Sequence, residues 1–336
     1  MPLPIDAGWL QWVAENRLRE CTPDSMLQTM TAAGLDHQES AAAIAAMEQD
    51  PAYLAARKHQ QLHRKLESVV ANQQKLWESA PDYVEVEKLR RVTPQEFEQR
   101  YVRGSRPVVL TDLARDWPAL QRWSPADLKQ RFGHVQVDIQ TGRNADKQFE
   151  QNKLKHLGSA LLGEFVDQVL AGGSTNDYYM TANNEVLRRP EFAPLLADIG
   201  SLPPFCDASQ LSGLSSFWFG PAGTVTPLHH DTVMLLHTQI VGRKRWRFIS
   251  PLDTPKLYNY NGVFSPIDLD QPDLVRYPLF AQVKVLDVIV EPGETVFLPL
   301  GWWHHVTSLD VSLSFSFSNL ALPNAFTYAN PSIQNW

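Results

Sequence analysis

The chain has 336 residues, 43% hydrophobic and 20% charged, with a formal net charge of −7 at pH 7. That length accommodates one large domain, or one domain plus a smaller one. The acidic balance argues against broad phosphate-backbone binding, so no nucleic-acid partner is expected, and no run approaches the roughly 20 apolar residues needed to cross a bilayer. Two cysteines, Cys21 and Cys206, are too few for a disulfide framework or a thiolate zinc site. The start, MPLPIDAGWLQW, has no basic n-region and no long apolar h-region. The expected compartment is the cytoplasm, with no membrane association.

In chain order, residues 1–78 read as an N-terminal helical region. Asp24 and Ser25 precede an apolar-periodic stretch of Met26, Leu27, Met30 and Leu35, and Ala41 to Met47 is rich in the best helix former. Pro51 to Trp77 reads as one longer helix with Leu62, Leu66, Val69, Val70 and Trp77 near one face. Its basic run, Arg57 to Lys65, reads as a solvated face. Glu78 to Lys88 reads as a linker into a second domain, residues 79–336. Thr93-Pro94-Gln95-Glu96 has the form of a capping box and predicts a short helix ending near Tyr101. Strands are expected at Pro107 to Leu110 and at Val135 to Gln140, where apolar and polar residues alternate. Ser124-Pro125 signals a helix start and Gly133 its stop. A helix from about Ala160 to Ala171 and a strand at Tyr178 to Met180 should follow. From Leu214 onward short aromatic and apolar strands alternate with Pro/Gly turns: Ser216 to Phe219, Met234 to Val241, Arg245 to Ile249, Val283 to Val290, Thr295 to Leu298 and Val311 to Ser318. Many short strands of this kind suggest a sandwich or barrel.

The chemistry concentrates in that β region. Five of the ten histidines lie between His229 and His305. In Thr226-Pro227-Leu228-His229-His230-Asp231, residues i and i+2 of a strand share a face. His229 and Asp231 can therefore face one metal while His230 turns away. Gly301-Trp302-Trp303-His304-His305 lies about 75 residues later, enough chain to return on an adjacent strand. Two histidines and one carboxylate leave three coordination positions open, the arrangement of non-haem Fe(II) oxygenases. Either cluster alone is a weak signal, since such pairs arise often by chance.

Three further features raise the odds: Thr226-Pro227 upstream, Gln239-Ile240-Val241-Gly242-Arg243-Lys244 downstream, and Glu291-Pro292-Gly293-Glu294 leading to Pro299 to His304. With Phe219 to Asp231, these runs resemble the Jumonji C (JmjC), cupin-like oxygenases over roughly Val92 to Leu320. They are most similar to the small hydroxylases, the group containing the asparagine hydroxylase of hypoxia-inducible factor. The resemblance implies a mainly β catalytic domain, a jelly-roll-like double-stranded β-helix with flanking helices. It implies His229, Asp231 and His304 as Fe(II) ligands, with 2-oxoglutarate and O₂ as co-substrates. Lys244 matches the lysine that pairs with the distal carboxylate of 2-oxoglutarate, and Thr226 a hydroxyl that helps hold it. Tyr179 matches a tyrosine with a similar role, though either Tyr178 or Tyr179 could instead be core. Asn319 matches an asparagine near the iron-bound end.

The chain departs from the pattern at one place. Relatives often carry asparagine four residues after the ligand aspartate, where this chain has Leu235. His237 is then either a core histidine or a replacement polar group in the pocket. Trp218 either lines the substrate pocket or packs in the core, and His230 and His305 read as scaffold. The implied activity is hydroxylation of a protein or peptide side chain, with succinate and CO₂ as co-products. N-methyl demethylation, small-molecule hydroxylation and a non-catalytic metal-binding scaffold are the alternatives. The N-terminal helices are candidates for homodimerisation or substrate recruitment.

Overall fold

Eight short segments of residues 215–317 fold as strands, several of them alternating polar and apolar side chains. The computed structural model describes residues 3–80, 84–182 and 184–329. Chain contacts divide it after Lys75 into two compact units.

The first unit holds helices α1 (Ala7–Leu18), α2 (Pro23–Ala32) and α3 (His37–Met47), and most of α4 (Pro51–Glu78). Val13, Met26, Met30, Leu35 and Ile44 form its core. Asp6, Thr22 and Asp36 cap α1, α2 and α3 by accepting backbone N–H groups. Because Thr22 is the cap and Pro23 the first helical residue, Asp24 and Ser25 lie inside α2 rather than ahead of it. On α4, Leu62, Leu66 and Val69 are 56, 57 and 52% exposed. A different face makes the contacts to the end of α1, where Gln60 donates to the Leu18 carbonyl and Arg64 pairs with Glu20.

The second unit is built on β1 (Glu87–Leu89), β2 (Val108–Leu110), β3 (Gln136–Gln140), β4 (Leu157–Leu161), β5 (Ser215–Gly220), β6 (Val225–His230), β7 (Leu235–Val241), β8 (Lys244–Ile249), β9 (Leu286–Val290), β10 (Thr295–Leu298), β11 (Trp303–Ser308) and β12 (Ser312–Phe317). One sheet has the order β1-β2-β10-β7-β12-β5, a second β6-β11-β8-β9, and β3 pairs with β4 alone. Of these pairings only β1–β2 is parallel. The period-two rule sorts each strand of the first sheet. Phe217, Phe219, Leu236, Ile240, Leu313, Phe315 and Phe317 face helices α5 (Pro125–Phe132) and α6 (Leu162–Ala171) in one aromatic-rich core. Alternate residues face the second sheet, where Val109, Val296 and Leu298 pack on Trp246, Phe248, Val288, Trp302 and Val306. This is the double-stranded β-helix that the resemblance implied, with flanking helices on its outer face.

Four local expectations need correction. The one-turn helix Pro94–Glu96 continues as a π-helix, Phe97–Arg103, rather than an α-helix ending near Tyr101. Ala160 and Leu161 belong to β4, so α6 begins at Leu162. Residues Tyr178 to Met180 form single bridges to Gln140 and Phe219 rather than a strand. Of the expected linker, Glu87 and Lys88 are already in β1, because their backbone pairs with Val108 and Val109, and residues 81–83 lie outside the described part.

The β7–β8 hairpin carries Lys244 at its base, and its turn needs Gly242 at φ 71°. A Cβ there would collide with the Val311 carbonyl oxygen. Gly242→Ala is therefore expected to destabilise the fold by at least about 1–2 kcal/mol from the left-handed backbone alone. A urea midpoint equal to wild type would contradict this.

Candidate metal and co-substrate site

Strands β6 and β11 are antiparallel neighbours, and His304 sits directly opposite His229. Their ring centroids are 4.1 Å apart. Asp231 follows β6 by one residue, and its Oδ2 lies 3.8 Å from His304 Nε2. The three side chains each offer a ligand atom within 4.8 Å of the others, and they are the one such group found among the described residues.

Both imidazoles are oriented from behind. His229 Nδ1 lies 2.8 Å from the Pro227 carbonyl oxygen, and His304 Nδ1 lies 3.0 Å from that of Trp302. A carbonyl only accepts, so each Nδ1 carries the proton and each Nε2 keeps its lone pair. Phe264 stacks on His229 and Trp246 on His304, fixing the ring planes. Gly301 N–H donates to the Asp231 carbonyl at 3.3 Å, tying the ligand loop to the turn before β11. Burial pushes the Asp231 carboxyl up, and burial together with His229 holds His304 well below the ordinary histidine value. Two imidazole Nε2 atoms beside an under-compensated carboxylate fit a divalent cation bound to two His and one Asp.

Thr226 and His229 are three residues apart, so a regular strand would turn them to opposite faces. The pairing of β11 shifts from His304–His229 to Val306–Thr226, which puts one extra residue into β6. The bulge takes in Pro227 and Leu228 opposite His305, and Pro227 has no N–H to give to a ladder. It resets the parity, and both Thr226 and His229 line the same cavity of about 260 Å³.

Lys244 enters that cavity from β8. Its side chain is buried, with Nζ 3.1 Å from the Tyr179 hydroxyl and 2.8 Å from Ser314 Oγ. The ammonium also lies 5.5 Å from the Trp218 ring centre and 5.8 Å from that of Tyr179. Among the described residues no carboxylate pairs with it, and burial pushes its pKa down to about 7. A buried cation without a counter-ion fits a ligand that brings the anion with it.

The remaining expected residues separate. Trp218 and His237 line the cavity, with Trp218 Nε1 donating to Ser316 Oγ at 2.8 Å. Tyr178 instead turns its hydroxyl to the Gln168 carbonyl. Asn319 is not among the residues lining the cavity: it is buried, and its amide donates to the Asp207 carbonyl at 2.7 Å. His230 packs between Trp303 and Tyr328 on the other face of β6. His305 accepts from Arg247 at 3.0 Å, and burial with that guanidinium pushes its pKa down to about 4.

Sequence reasoning missed four contributors. Ser314 and Ser316 project from β12 toward the cavity side, and the Ser-x-Ser-x-Ser alternation of residues 312–316 was the available signal. Arg143, fully buried, lies 5.2 Å from the Tyr179 ring centre and donates to the Val225 carbonyl at 2.7 Å. Asn324 brackets Met234, accepting from its N–H and donating to its carbonyl, and so pins the loop after Asp231. Neither had a local signal, because both act across long sequence separations.

Comparison with known proteins places this site in a family. A cupin-like domain family matches residues 94–321. Lysine-specific demethylase 8 of Xenopus tropicalis is 32% identical over 240 residues, 69% of this chain and 52% of that protein. The Jumonji C domain-containing protein 5 of Drosophila melanogaster is 31% identical over 232 residues, covering 66% and 57%. The human bifunctional peptidase and (3S)-lysyl hydroxylase JMJD7 is 28% identical over 254 residues, covering 67% and 80%. The chain spans little more than half the length of the first two relatives. Because the family match takes in more than half the chain and encloses the whole His229–Asp231–His304 cluster, the chain belongs to the cupin-like JmjC domain family.

Proposed function

We propose that this protein hydroxylates a side chain of a protein or peptide, coupled to conversion of 2-oxoglutarate and O₂ into succinate and CO₂. One observation carries the reading: an uncompensated buried cation, Lys244, shares a cavity with a His₂Asp metal cluster. A 2-oxo dicarboxylate satisfies both ends, with one carboxylate for Lys244 and a 2-oxo acid group for the metal. In this reading His229, Asp231 and His304 hold Fe(II), and Lys244, Thr226 and Tyr179 hold the co-substrate. Asn319, its amide tied to the Asp207 carbonyl, is not counted among them, since it is not part of the cavity lining. When bound, the iron supplies O₂ activation, with one oxygen atom ending in succinate and the other in the new hydroxyl. The chain supplies position and exclusion of water: rigid imidazoles, a fixed lysine, and walls of Trp218, Trp246, Leu235 and Val306.

A protein or peptide substrate is supported by similarity to proteins named for lysine demethylation and lysyl hydroxylation. Those names also support a second reading, N-methyl demethylation by the same site. Two free cysteines support a cytoplasmic location, and no described helix is long and apolar enough to cross a membrane. In this reading the chain comprises an N-terminal helical region, 1–78, that serves dimerisation or recruitment, and a catalytic domain, 79–336.

The test is succinate formation with Fe(II), 2-oxoglutarate and O₂. It is paired with mass spectrometry of peptides from the native host, comparing wild type with His229→Ala. Wild-type-dependent gains of 16 Da are expected. Losses of 14 Da would select demethylation, and no succinate above the variant with any peptide would overturn both.

A further inference from the structure

The structure assigns His237 a direct contact with the co-substrate: we propose that its imidazole hydrogen-bonds a carboxylate oxygen of the bound 2-oxo dicarboxylate, replacing a polar group that Leu235 lacks. The inference rests on the reading of the cavity given above.

Leu235 and His237 are two apart on β7, so they share a face, and both line the cavity. Relatives that carry asparagine at the first position would present an amide there; here the wall is aliphatic. The polar group is instead one strand repeat along, about 6.6–6.8 Å away. His237 lies on the same wall as Ser316, its partner across the β7–β12 ladder.

His237 is only 4% exposed, and its Nε2 has no hydrogen-bond partner among the described residues. A buried polar nitrogen left unpaired costs stability, so a core histidine is normally satisfied. This one is held for a different purpose. Its ring meets Trp246 edge-on at 5.0 Å and Trp218 at 5.8 Å, and Trp218 is itself locked to Ser316. The orientation is therefore set by packing while hydrogen-bonding capacity is left unused. Burial, Lys244 and His304 all hold the ring neutral, so it keeps one N–H to donate. An N–H on a side chain that lines the same cavity as Lys244 would give that cavity a second donor for an anionic ligand.

The test measures 2-oxoglutarate affinity by calorimetry on the Mn(II)-loaded full chain, a readout independent of turnover. His237→Phe keeps the ring volume and deletes the donor. It should weaken binding roughly tenfold to a hundredfold, as expected for a hydrogen bond to a charged group, with Mn(II) affinity unchanged and a ligand-free melting temperature no lower than wild type, since an unpaired buried nitrogen is removed. His237→Gln, which retains an N–H, should recover part of the loss. The double variant Leu235→Asn/His237→Leu should bind within about threefold of wild type if the polar contact has moved along the strand. Wild-type affinity in His237→Phe would overturn the proposal alone. A wild-type chain that binds Mn(II) but not 2-oxoglutarate would overturn the co-substrate reading with it.

Discussion

Asp231→Ala is expected to abolish iron retention and, with it, succinate formation. Asp231 is the only anionic member of the cluster, and each histidine, with Nδ1 directed to the Pro227 or Trp302 carbonyl, offers only the Nε2 lone pair to a metal. Losing it leaves two imidazoles on a dication. Losing a partner behind a ligand costs roughly 10–100-fold in metal affinity, and losing the ligand itself should exceed that range. Metal content after gel filtration, measured beside turnover, checks both halves. A stability measurement gives an independent control. Burial raises the Asp231 carboxyl above its unfolded value, so its ionisation opposes folding once the pH passes the unfolded value. Metal-free Asp231→Asn, which removes that charge, should melt no lower than metal-free wild type at neutral pH. A lower melting temperature would mean that the carboxylate stabilises the fold through contacts beyond this electrostatic argument.

Lys244→Met should weaken 2-oxoglutarate binding roughly a hundredfold or more while leaving metal affinity intact. The lysine is the cavity's ammonium, and a methionine of similar length fills its volume without the charge. The pH dependence carries the same information. In the free protein burial alone pushes Lys244 down to about 7. A bound dicarboxylate supplies the missing counter-charge and raises that value. The affinity should therefore be flat below about pH 7 and fall by up to tenfold per pH unit above it, with proton uptake on binding near pH 8. Heats of binding in buffers of different ionisation enthalpy measure that uptake. No uptake at pH 8 would show that Lys244 is already charged in the free cavity.

The strands between residues 215 and 317 were legible because alternation is enforced at every position once both faces of a sheet are committed. Leu313, Phe315 and Phe317 must meet the helices, which leaves Ser312, Ser314 and Ser316 for the other face. Elements that lack such a two-sided demand were less legible. Residues 160 and 161 carry good helix formers, yet they pair with Val137 and Gln136 of β3. The leucine stripe of α4 obeys helical spacing, but spacing alone does not say which face will be buried, and here the contacts of Gln60 and Arg64 lie on another.

For the His229–Asp231–His304 cluster, local sequence already determined which side chains could share a metal. His229 and Asp231 are two apart and His304 lies one strand return away, so strand parity put three donors on one side and sent His230 and His305 to the other. Only the tertiary structure decided the rest. The extra residue at Pro227 brings Thr226 onto the face of His229 against the strand period, because a bulge depends on the pairing of β6 with β11. Tyr179 rather than Tyr178 reaches Lys244, because a pair of isolated bridges sets that register. Lys244 follows a turn glycine in a Gly-Arg-Lys-Arg run that reads as exposed, yet the strands around it remove it from water. Periodicity is a local property of the chain; burial and register belong to the partners, which sequence spacing alone does not specify.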